Sequence, residues 1–76
     1  MTEEWHKGEF ELGKRYYDAV GRRWKVVKLI HHGDYDILLV RRGFRTEIGC
    51  TEPDGKTATV LFSEFGFTTI YAEAEE

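Results

Sequence analysis

Turn signals recur along this chain at intervals too short for a helix. Asp18-Ala19-Val20-Gly21, His32-Gly33-Asp34, Arg42-Gly43, Glu52-Pro53-Asp54-Gly55 and Ser63-Glu64-Phe65-Gly66 divide it into short segments. Those segments are rich in Tyr, Trp, Val, Ile, Phe and Thr, residues that suit a half-buried pleated surface. Lys14–Asp18, 22–31, 35–41, 44–50, 56–62 and 67–72 are therefore expected as about five or six short strands, and no helical period competes over a useful length. The fold class expected is all-β, a small antiparallel barrel or sandwich.

The turns have chemistry of their own. Asp18 stands at a first turn position with Gly21 at the last, which suits a type I turn closed by a left-handed glycine. Pro53 presets one central position of the 52–55 turn, and Gly55 accepts positive φ after it. Ser63-Glu64-Phe65-Gly66 is expected as a single turn of 3₁₀ type before the last strand. Within 22–31, Trp24 and Val26 share one face while Val27 and Leu29 share the other. The alternation slips between Val26 and Val27, which predicts a bulge there or burial on both faces. Ile37-Leu38-Leu39-Val40 marks the central and most buried strand. Phe44, Thr46, Ile48 and Cys50 alternate on one face of the next strand, and Cys50 is expected there as a buried, inert thiol.

A chain of 76 residues makes one domain, placed over 10–72, with a lead-in over 1–9 and an acidic tail over 73–76. A domain of this size buries only about 60% of its unfolded surface, so its core is thin. One cysteine permits neither an internal disulfide nor a cysteine-based zinc site, and fits a reducing compartment. The start of the chain lacks the basic and apolar blocks of a signal peptide, and no apolar run approaches the roughly 18 residues of a membrane helix. A cytoplasmic protein is the expectation.

The net charge of −3 conceals a segregation. Residues 14–45 carry nine bases against three acids, whereas 1–13 and 46–76 are both acidic. Basic and acidic strands pairing across one sheet would absorb this pattern. A functional surface is the other reading. Arg22, Arg23, Arg41, Arg42 and Arg45 flank two turns and form one patch if those turns share an end of the barrel. Tyr16, Tyr17, Trp24, Tyr35 and Phe44 are interleaved with these bases, the combination that single-stranded nucleic acid exploits by stacking and phosphate contact. With Asp18 or Asp36 the same rings offer a cage for a cationic side chain. Trp24 is expected in the core, and Tyr17 on the face opposite to it. The candidate binding residues are Tyr17, Arg22, Arg23, Tyr35, Arg41, Arg42 and Arg45.

The pattern Gly13-x-x-Tyr16-x-Asp18-x-x-Gly21-Arg22-x-Trp24-x-Val26 resembles the opening hairpin of SH3-like small β-barrels, and the single turn before the last strand is similar to theirs. The resemblance covers roughly residues 10–72. It implies a barrel that binds peptides, modified side chains or nucleic acids, a fold used by many small phage and plasmid accessory proteins.

No glycine-rich phosphate loop or paired-cysteine spacing is present. His31 and His32 point to opposite faces of a strand and His6 is remote, so neither a metal nor a cofactor is expected. No acid, base and nucleophile are grouped by spacing, so no enzyme activity is expected. The function expected is a non-catalytic protein-interaction module, a small phage- or plasmid-type regulator or inhibitor docking on another protein. A nucleic-acid-binding barrel is the alternative. Phe67, Ile70 and Tyr71 suggest an edge strand through which the chain pairs with its own copy.

Overall fold

Six antiparallel strands follow one another in space in the order of the chain: β1 (Arg15–Tyr17), β2 (Arg23–His32), β3 (Tyr35–Arg42), β4 (Arg45–Thr51), β5 (Thr57–Ser63) and β6 (Gly66–Tyr71). This computed structural model describes residues 10–64 and 66–72. The lead-in over 1–9 with its Trp5, the tail over 73–76, and Phe65 lie outside the described residues. No helix occurs among the described residues. The all-β expectation holds in the form of a meander curled into a half-barrel.

Asp18 organises the curl. Its N–H donates to the Arg22 carbonyl (2.8 Å), and Gly21, at φ 92°, returns its N–H to the Asp18 carbonyl (3.0 Å). The Asp18 side chain fills the turn it initiates. Oδ1 accepts the N–H groups of Val20 (3.1 Å) and Arg22 (2.7 Å). Oδ2 accepts Arg22 Nε (2.8 Å) and the Trp24 indole Nε1 (3.0 Å). The backbone at the same point bridges to Ile70, and the Ala19 N–H donates to the Thr69 carbonyl (3.0 Å). One residue thus closes the first hairpin, positions Trp24 and ties β1 to β6.

The hairpin sets Tyr16 opposite Trp24. Both rings face inward and are almost wholly buried, with Val26, Leu38, Val40, Ala58, Val60 and Ile70. Phe10 packs edge-on to Tyr16 with ring centres 4.9 Å apart, and the Tyr16 hydroxyl accepts the Glu11 N–H (2.8 Å). The slip in the β2 alternation is a bulge: Val26 pairs with Val40, but the next pair is Lys28 with Leu39. The extra residue returns Leu29 to the core side beside Leu38. Ile70, assigned from sequence to a pairing edge, is a core residue.

One local expectation fails. Cys50 is exposed, not buried. The inward residues of β4 are Gly49 and Thr51, so Cys50 and Ile48 are turned outward. Gly49 explains the choice. A Cβ at that position would lie 2.9 Å from the Thr59 carbonyl oxygen and 3.0 Å from Val60 Cγ2. Only a glycine lets β4 and β5 approach so closely, and alternation then sends its apolar neighbours to the outside. Of the 63–66 segment expected as a 3₁₀ turn, Phe65 lies outside the described residues, and Ser63 pairs with Gly66 after a register shift between Leu61 and Ser63.

Burial alone pushes the Asp18 carboxyl up, but the hydrogen bonds from Trp24, Arg22 and Val20 outweigh it and hold its pKa below the ordinary aspartate value. A depressed carboxylate contributes stability above its unfolded pKa of about 3.9 and loses it as pH falls through the lower folded value. Stability should therefore fall with acidification below about pH 4. Asp18→Asn should cost about 2–4 kcal/mol at neutral pH and flatten this acid limb, as read by urea unfolding across pH. Asp54, depressed by the Lys56 and Thr57 N–H groups it accepts, keeps a residual slope. Gly49→Ala should cost about 1–3 kcal/mol in the same assay, through backbone displacement.

Candidate functional site

Residues directly opposed across an antiparallel pair share a face, so the strand register determines what the outer side of the sheet displays. One row is basic. Lys25 opposes Arg15 on one side and Arg41 on the other. With Arg23, Arg42 and Gly43 these residues line a cleft of about 350 Å³ that has no acid among its described lining residues. The turns at 19–21 and 42–43 do lie at the same end, since β2 begins where β3 finishes. Arg42 holds its guanidinium over the buried Trp24 ring, 5.5 Å from the ring centre. None of the ion pairs among the described residues uses Arg15, Lys25, Arg41 or Arg42.

The neighbouring rows are apolar. Beyond Lys28 the pairings run Leu39, Ile48, Leu61, Phe67 across four strands. Ile48, Leu61 and Phe67 are 55%, 58% and 66% exposed. The next row is Ile30, Ile37, Cys50, Thr59, Thr69. A cleft of about 430 Å³ opens between Ile48 and Leu61, with Phe62 in its wall. The outer face is thus divided into a cationic part on β1–β3 and an apolar part on β3–β6.

The sequence-predicted residues separate accordingly. Arg23, Arg41 and Arg42 meet in the cleft, and Tyr17, 41% exposed, pairs with Arg23 at its margin. Phe44 follows Gly43 at the same turn and is fully exposed. Arg22 is committed elsewhere: its Nε binds Asp18 and its guanidinium lies 5.2 Å from the centre of the Phe62 ring. Arg45 donates from Nη2 to the Phe62 carbonyl (3.1 Å) and pairs with Glu47 (3.2 Å). Tyr35 is at the opposite end, against His32 with ring centres 5.1 Å apart, beside a cleft of about 460 Å³ that also touches Cys50 and Pro53. The aromatic cage does not assemble, because Tyr16 and Trp24 are core and the Asp18 carboxylate is spent on the turn.

Sequence reasoning missed Arg15 and Lys25. The turn at 18–21 had already implied them, since Tyr16 opposite Trp24 sets Arg15 opposite Lys25. It also missed the apolar rows, whose exposure depends on the inward Gly49.

A polar group sits on the inner side at the far end. His31 Nδ1 is 2.6 Å from Asp36 Oδ1, and the buried Asp36 donates its N–H to Thr51 Oγ1 (2.9 Å). Cys50 belongs to the outer side, turned away from this group. No cluster of three or more metal-ligating side chains occurs among the described residues. Compared with known proteins, the chain matches no family model, no curated protein and no solved structure.

Like charges directly opposed across strands destabilise a sheet. Lys25→Glu should convert two repulsive pairs into attractive ones and raise stability by about 0.2–1 kcal/mol in urea unfolding. Added salt should raise the wild-type midpoint more than that of the variant, because screening relieves the repulsion.

Proposed function

We propose that this chain is a non-catalytic interaction module, an SH3-like small barrel that docks on a partner protein through the outer face of its sheet. A small phage- or plasmid-type regulator or inhibitor is the kind of protein this describes. The observation that carries the reading is the row Leu39, Ile48, Leu61 and Phe67, continuous over four strands, half-buried at Leu39 and exposed at the other three. Single exposed apolar residues are ordinary on a soluble protein, whereas contiguous apolar patches mark contact surfaces. The partner contributes an apolar strip that covers this row. A non-catalytic role is supported by the disposition of the chemistry-bearing groups, with Cys50 on the outer face and the His31–Asp36 pair on the other. The SH3-like assignment is supported by the meander order, by the Asp18–Gly21 turn and by the return of β6 to β1.

Immobilised protein should retain one protein from a lysate in near-stoichiometric amount. The double variant Ile48→Glu, Leu61→Glu should lose it while keeping the wild-type circular dichroism, because substitutions at exposed sites shift stability by only about 0.5 kcal/mol. Retention that survives the double variant, or no stoichiometric partner at all, would refute the proposal.

A further inference from the structure

A second site, independent of the docking row, follows from the cationic part of the face. Opposing Arg15 and Arg41 to the same Lys25 carries a cost in the free protein, and no carboxylate among the described residues forms an ion pair with any of the three. Such an arrangement is stabilised by a ligand with several negative charges. The cations run across adjacent strands at intervals of about 5 Å, which suits a line of repeated charges better than a single anion. The barrel is also less acidic than the whole chain. Of fourteen acids, six belong to residues 1–9 and 73–76, which leaves ten bases against eight acids in the described residues.

The margin of the cleft selects among polyanions. Phe44 stands fully exposed on the turn that supplies Arg42 and Gly43, with no packing role. Tyr17 exposes its ring beside Arg23. An acidic peptide has no use for these rings. Unpaired bases do, since each presents a flat apolar surface that stacks on an aromatic side chain. A duplex keeps its bases stacked inside and offers them nothing.

We propose that the cleft of Arg15, Lys25 and Arg41, bordered by Arg23 and Arg42, binds the sugar–phosphate backbone of single-stranded nucleic acid, with Phe44 and Tyr17 as stacking surfaces for its bases. The apolar row stays outside the site, so one molecule can hold a protein and a nucleic-acid strand side by side.

The test is fluorescence anisotropy with a short labelled oligothymidylate, a duplex of the same length and a glutamate-rich peptide, each at several salt concentrations. The oligothymidylate should bind best. Its log affinity should fall against log salt with a slope of about −2, as three neutralised phosphates require. Lys25→Glu, expected to fold at least as well as wild type, should weaken binding by roughly tenfold or more. Phe44→Ala should weaken it by about fivefold or more with the salt slope unchanged. The Ile48→Glu, Leu61→Glu variant should bind as wild type, which separates this site from the docking row. No binding at low salt, tighter binding of the duplex or the peptide, or wild-type affinity in Lys25→Glu or Phe44→Ala would overturn the assignment.

Discussion

The carboxylate of Asp18 is the constraint on which the rest of this structure depends. It is buried, and it accepts four hydrogen bonds from three residues. Two hold the tip of the first hairpin. A third anchors the Arg22 guanidinium, and the fourth holds the indole of Trp24, the largest ring in the core. The backbone at the same residue meets β6 and turns an open meander into a half-barrel. A core this thin has little redundancy, so a charged group at its edge is tolerable only because every lone pair direction is used.

The second determinant is the close approach of β4 to β5 at Gly49. It turns the apolar side chains of β4 outward, where they align with Leu39, Leu61 and Phe67. The inner face gains close packing, and the outer face acquires an apolar strip with no partner among the described residues. The exposed apolar strip is therefore a consequence of how the core is closed.

Much of this was legible in the sequence, for local reasons. Turn chemistry placed Asp18, Gly21, Pro53 and Gly55 correctly, because those residues determine backbone conformation without distant help. The slip at Val26 announced its bulge, because alternation is a local property. What could not be read depended on contacts between strands. Cys50 looked buried until β5 was seen against Gly49. Arg22 and Arg45 looked like surface ligands, yet Asp18 and the Phe62 carbonyl engage them. Conversely, Arg15 and Lys25 gain significance only when the register opposes them to each other and to Arg41. Charge segregation along the chain pointed to a basic region, but the grouping of charges is set by pairing across strands.

The outer face thus carries two kinds of surface side by side, each costly or unusual in the free protein. Their separability is the central claim. The most direct measurement is amide chemical-shift mapping of the isotope-labelled protein during titration with oligothymidylate. Shifts confined to Arg15, Tyr17, Lys25 and the Arg41–Phe44 turn, with Ile48, Leu61 and Phe67 unmoved, are what the account predicts. Shifts centred on the apolar rows, or none at all, would contradict it.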